Sequence, residues 1–116
     1  MKYCFDIETD GFLNQCTKVH CIVLKNIDTN EILKLDNETA IKELEQADLI
    51  VGHNIIKFDI PVLEKFYDFK PKGKVFDTIV ATRLLYPDVK ERDFKRKDFP
   101  TNCIGRHSLK AWGYRV

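Results

Sequence analysis

Phe5-Asp6-Ile7-Glu8-Thr9-Asp10-Gly11, near the start of the chain, sets two carboxylates one residue apart inside an alternating apolar run. Read as a strand over 2–8, this run sends its side chains alternately to two faces. Tyr3, Phe5 and Ile7 then share one face; Cys4, Asp6 and Glu8 share the other. An interior strand with two acids on one face runs against ordinary burial preference. Adjacent carboxylates repel each other, and a cation between them relieves the repulsion. Such hard oxygen donors suit Mg²⁺ or Mn²⁺ rather than zinc. The other reading is a frayed strand end, with both acids in water beside a Thr9-Asp10-Gly11 turn. The pair alone leaves both readings open.

The following residues supply a sheet around that strand. Residues 11–18 read as a turn and loop, and 19–25 (VHCIVLK) as a second strand of β-branched, alternating character. A polar turn at 26–30 and a third strand at 31–35 make an antiparallel meander. Asn37 can cap a helix over 38–47, where Ile41 and Leu44 have helical spacing. The apolar run 48–52 (DLIVG) suits a central parallel strand buried on both faces. Ile55, Phe58, Val62, Leu63 and Phe66 then recur at helical spacing. Pro61 is tolerated only near the start of that helix, which puts Asp59 in or beside its first turn. A loop at 69–74 precedes a short strand at 75–77. Asp77-Thr78 can cap a helix reaching Tyr86, with Ile79, Val80, Leu84 and Leu85 inward. Pro87 stops it, residues 88–106 form a charged segment without periodicity, and Ser108 can cap a last helix over 107–112. Three antiparallel strands followed by parallel βα units give an α/β fold: a mixed five-stranded sheet flanked by helices, in the strand order of a ribonuclease-H-like domain.

Bulk properties narrow the function classes. A chain of 116 residues is one domain by length. A net charge of +1 gives no whole-molecule argument for nucleic acid, so any such argument rests on local patches. No apolar run approaches the roughly 20 residues of a membrane span. The N-terminus has no signal-peptide pattern, so the expected location is cytoplasmic, a host cell's cytoplasm if the protein is viral. Cys4, Cys16, Cys21 and Cys103 form no C-x-x-C pair and read as reduced thiols, with Cys4 and Cys21 as small buried hydrophobes. His53 reads as a hydrogen-bonded structural residue, and His20 and His107 are not expected to be metal ligands.

If the strand at 48–52 lies parallel to and beside the first, both end on the same edge of the sheet, where open α/β sheets bind their ligands. Asp6, Glu8 and Asp59 then converge. Such a group suits two divalent ions about 3.5–4 Å apart, the arrangement that serves phosphodiester cleavage.

Two stretches carry a resemblance. Phe5-Asp6-Ile7-Glu8-Thr9-Asp10-Gly11 resembles the first motif of the DEDD (DnaQ-like) 3′-to-5′ exonucleases. Gly52-His53-Asn54-x-x-Lys57-Phe58-Asp59-x-Pro61-x-Leu63 resembles the second. The wording is most similar to the proofreading domain of podovirus-type phage family A DNA polymerases. Arg106-His107-Ser108-Leu109-x-x-Trp112-Gly113-Tyr114 resembles a later segment of them. The resemblance implies a metal-dependent 3′-to-5′ exonuclease domain acting on single-stranded DNA or a frayed DNA 3′ end. It implies Asp6, Glu8 and Asp59 as catalytic metal ligands for Mg²⁺ or Mn²⁺. It implies nucleic-acid contacts at Thr9, Asp10, Phe12, Leu13, Asn54, Phe58, Arg106 and His107, and as partner the remainder of a DNA polymerase, covalent or as a separate chain. Phe12 either stacks on a base or covers the sheet edge as a turn hydrophobe.

The departure is equally specific. The family's third motif places a Tyr or His a few residues before a fourth Asp. After residue 77 no such pair occurs: Tyr86 is followed at that distance by Lys90, and Tyr114 by the chain end. The expectation is a domain truncated before that motif, with its C-terminal helices incomplete and its two-metal site short of a ligand. A fragment, half of a split gene, and a remnant that kept only binding all fit. The alternative function is therefore a catalytically incomplete module that binds single-stranded nucleic acid or a partner chain supplying the missing motif. Asp77, Asp88, Asp93 and Asp98 are formal replacements for the fourth acid; Asp77 reads as a helix cap and the others as a solvated face. Lys90, Arg92, Lys95, Arg96, Lys97 and Arg106 form a basic stretch that either follows a phosphate backbone or is a solvated loop.

Overall fold

Residues 2–8 do form a strand, one residue longer than read: β1 (Lys2–Thr9). Tyr3, Phe5 and Ile7 are buried on one face, while Cys4, Asp6 and Glu8 are exposed on the other. This computed structural model describes all 116 residues, in two compact units, Met1–Asp77 and Thr78–Val116.

The first unit holds the sheet. β2 (Val19–Asn26) pairs antiparallel with β1, and β3 (Ile32–Lys34) antiparallel with β2. β4 (Leu49–Gly52) and β5 (Lys74–Asp77) add parallel strands on the other side of β1, giving the order β3-β2-β1-β4-β5. The fold is a ribonuclease-H-like α/β fold. The β1–β2 register slips between Glu8 and Thr9, which pair with Cys21 and Val19 and leave His20 as the extra residue of a bulge. The bulge explains why Val19 and Ile22, three residues apart, both face the core.

Helices α1 (Asn37–Gln46) and α2 (Ile60–Tyr67) supply the apolar partners for the Tyr3–Phe5–Ile7 face. Ala40, Ile41 and Leu44 of α1 join Val62 and Leu63 of α2 in one core with Ile22, Leu24 and Ile50. Full burial of each of the larger of these side chains contributes about 1.5–3 kcal/mol. The cap position of α1 falls to Asp36 rather than Asn37. Asn37 instead donates to the Val19 carbonyl and the Tyr67 hydroxyl, at 3.1 Å each, tying the helix start to β2 and α2. β4 is buried at Ile50 and Gly52 but only half-buried at Leu49 and Val51, so its apolar run does not mean burial on both faces. Cys4 and Cys21 are exposed, because they lie on the acid-bearing face. The buried thiols are Cys16 and Cys103.

The second unit is helical: α3 (Thr78–Leu85), α4 (Val89–Phe94), a short 3₁₀ turn (Thr101–Cys103) and α5 (Leu109–Arg115). Val80, Leu84 and Leu85 of α3 are exposed, contrary to the inward reading. At about 100° per residue, Ile79, Val80, Leu84 and Leu85 spread over some 240° of the helix and cannot share a face. The segment without periodicity contains α4, organised by charge. Asp93, read as solvated, has a fully buried side chain that accepts from Arg115 Nε at 2.9 Å, Arg115 Nη2 at 2.5 Å and the Gly105 amide at 2.9 Å. The Arg115 guanidinium also lies over the Trp112 ring at 4.6 Å and the Phe99 ring at 5.5 Å. Ser108 caps α5 as expected, its Oγ accepting from Ala111 N.

Candidate metal and nucleic-acid site

The parallel register of β1 and β4 pairs Lys2 with Leu49 and Cys4 with Val51. β1 therefore runs past the end of β4, carrying Asp6 and Glu8 to the edge where β4 leaves the sheet at Gly52. A Cβ on Gly52 would lie 2.3 Å from the Ile55 side chain and 3.0 Å from the Phe5 carbonyl, so only glycine permits this exit. Asn54 then adopts a left-handed conformation (φ 62°), and Ile55–Asp59 form a π turn leading into α2. A π turn holds one residue more than an α turn. This one buries Ile55 and Asp59 while leaving Ile56 and Lys57 exposed.

Asp59 is 4% exposed, and its Oδ2 is buried without a hydrogen-bond partner. Burial, then the charge of Asp6, push its carboxyl up to about 7; a hydrogen bond from the Ile7 amide pulls the other way. The Ile7 amide thus ties the Asp59 carboxylate to β1, within electrostatic reach of Asp6. Its orphaned oxygen and its Asp6 neighbour fit a divalent cation with hard oxygen preference. The fit is partial: no three His, Cys, Asp or Glu side chains converge closely enough to hold a metal ion.

Gly11, Phe12, Asn54 and Phe58 line an open groove of about 420 Å³. Phe12 is 75% exposed and does not act as a covering hydrophobe. Its loop is held from several sides. The Asp10 carboxylate accepts from the Thr17 amide at 2.8 Å, from the Thr17 hydroxyl and from the Lys18 amide at 3.3 Å. Those bonds, the Thr17 hydroxyl foremost, hold Asp10 down at about 2. Thr9 Oγ1 donates to the Gly11 carbonyl, and Lys65 of α2 donates to the Leu13 and Cys16 carbonyls. Leu13 packs against the core. Of the expected nucleic-acid contacts, Phe12, Asn54 and Phe58 come together in the groove, whereas Thr9, Asp10 and Leu13 build the loop. Arg106 and His107 belong to the second unit, where Arg106 is exposed and the His107 ring stands 5.9 Å from that of Trp112.

Asp77, at the end of β5, has a long-range role besides its place before α3. Its carboxylate oxygens accept from the backbone amides of Asn54 at 2.8 Å and Ile56 at 3.0 Å. The signal for this was its position at the end of a parallel strand, on the same sheet edge as the other acids.

No family model matches the chain. It is 32% identical over 130 aligned positions to the DNA-directed DNA polymerase of Escherichia phage T7, and equally to that of Enterobacteria phage T3. Each alignment takes in 96% of this chain and 18% of the polymerase, so the chain spans under a fifth of the relatives' length. The chain is a module related to DNA polymerases. Among solved structures, the family B DNA polymerase of the archaeon Pyrobaculum calidifontis overlaps 55% of this chain and 10% of its own, with 22% identity and a TM-score of 0.41. No helix is long and apolar enough to cross a membrane.

Proposed function

We propose that this chain is a catalytically incomplete exonuclease-like module. It binds single-stranded DNA at its 3′ end and holds the front part of a divalent-metal site that a further segment or chain completes. The buried Asp59 carboxylate carries this reading: one of its oxygens has no partner, and the charge of Asp6 acts on it. Asp6, Glu8 and Asp59 would hold Mg²⁺ or Mn²⁺. Such ions, when bound, supply an activated water and stabilise the leaving oxygen in phosphodiester hydrolysis. The chain's own residues do the remaining work. Phe12 and Phe58 offer ring faces to the terminal bases, Asn54 shapes the groove, and the pinned 11–18 loop keeps Phe12 in place. Homology to phage DNA polymerases supports DNA as the substrate class. The lack of a convergent three-acid group supports incompleteness. A protein that adds the fourth acid and its Tyr or His is expected to hydrolyse DNA from the 3′ end.

The test uses 3′-labelled and 5′-labelled single-stranded DNA with Mn²⁺ or chelator. The 116-residue chain is expected to bind the DNA without shortening it. Metal-dependent shortening from the 3′ end would establish a complete site in this chain. Absence of binding would overturn the module reading.

A further inference from the structure

The start of the π turn has a donor problem. Its first amides have no intrahelical acceptors, and the Asn54 side chain provides no cap. Buried or half-buried amides left unpaired cost about 1–3 kcal/mol each, so the turn needs an acceptor from elsewhere. The β4–β5 register supplies one by pairing Gly52 with Asp77 across the sheet edge. From there the 5%-exposed Asp77 carboxylate receives the Asn54 and Ile56 amides. Asn54 is the left-handed residue, and Ile56 is the second residue of the turn that ends at Asp59.

We propose that Asp77 is the positioning residue for Asp59, its two oxygens fixing the left-handed Asn54 and the π turn that bring the Asp59 carboxylate to the Ile7 amide of β1. The inference rests on the reading of Asp59 as a metal ligand. Asp77 touches no metal in this role; it sets the backbone from which a ligand hangs. Partners of this outer kind typically govern 10–100-fold in metal affinity. Asn at 77 keeps one accepting oxygen and presents an NH₂ where the other stood, so it cannot serve both amides.

The experiment measures Mn²⁺ affinity by electron paramagnetic resonance on the intact chain, with folding followed by circular dichroism and backbone amides by NMR. Asp77→Asn is expected to fold, to shift the Asn54 and Ile56 amide resonances, and to weaken Mn²⁺ binding by about 10–100-fold. Asp48→Asn, an exposed acid bound to the N-terminus, should leave the affinity unchanged. A folded Asp77→Asn that binds Mn²⁺ as the parent does would overturn the inference, while loss of affinity in Asp59→Asn would leave the site reading standing. Parental affinity in Asp59→Asn would overturn both. A backbone ester at Ile56 removes only that donor and keeps the Asp77 charge. It should also weaken Mn²⁺ binding, and parental affinity there would overturn the inference even if Asp77→Asn fails to fold.

Discussion

Asp59 titrates near the middle of the accessible pH range, which makes its environment measurable. Its folded value of about 7 lies above the ordinary carboxylate range, with burial as the first cause and Asp6 as the second. The folded chain therefore keeps a proton that the unfolded chain releases near pH 4. The associated stability is complete below that pH and is lost as pH rises through about 7, at roughly 1.4 kcal/mol per pH unit. In chelator, urea unfolding should show stability falling between pH 4.5 and 7. Asp59→Asn should flatten this slope, and Mn²⁺ in place of chelator should also flatten it, because a bound cation favours the ionised form. A parental slope in Asp59→Asn would place the titration elsewhere. At this scale the sequence was informative about residue type and less so about surroundings. Asp6 and Glu8 stand out as two acids in an alternating apolar run and Asp59 by its place in the second motif, but the sequence does not show that the face carrying Asp6 and Glu8 is exposed while Asp59 is buried. The sequence shows neither the long-range bonds of Asp77 nor the burial of Asp93, because those partners lie 21 to 23 and 12 to 22 residues away.

At the scale of elements, the strands are legible, as are α3 and the Ser108-capped α5, whereas α4 is not. β1 and β2 declare themselves by alternation, and β4 by an apolar run closed by a glycine that its exit requires. In the second unit the organiser is a buried ion pair, which leaves no periodic trace. Asp93 of α4 meets Arg115 of α5 through a two-pronged contact, and Arg115 lies over the Trp112 and Phe99 rings. The guanidinium holds the Asp93 carboxyl below its usual range. The pair's contribution is therefore present above the ordinary carboxylate value and fades as pH falls through the depressed one. Lysine at 115 keeps the charge but cannot match both oxygens or stack as a plane. Arg115→Lys should cost about 1.5–3 kcal/mol, the usual worth of hydrogen bonds to a charged group, seen as an earlier Trp112 fluorescence transition in urea. An unmoved midpoint would mean that neither the paired hydrogen bonds nor the stacked guanidinium holds α5 to α4.

Over the whole molecule, 19 basic and 18 acidic residues almost cancel, so long-range attraction cannot be the main source of DNA affinity. On the reading proposed above, DNA would be held by stacking in the groove and by a few phosphate contacts, and salt separates the two. Of the basic residues between 90 and 106, Arg92 is engaged by Asp88 at 3.0 Å and Arg96 donates to the Arg115 carbonyl. Lys90, Lys95, Lys97 and Arg106 remain exposed. Each phosphate neutralised on a single strand contributes about −0.7 to the slope of log affinity against log salt, so these residues bound the slope at roughly −3. Stacking on an aromatic ring contributes about 1–3 kcal/mol per base and is insensitive to salt. Phe12→Ala should therefore lower the affinity for single-stranded DNA by about 5–150-fold at every salt concentration and leave the slope as it was. Neutralising Lys95 and Lys97 together should make the slope shallower and leave the Phe12 contribution intact. Fluorescence anisotropy with a labelled oligonucleotide between 50 and ~300 mM salt reads both quantities at once. A slope steeper than −3 would require phosphate contacts beyond these four residues, and an unchanged affinity in Phe12→Ala would move the base-binding surface away from the groove.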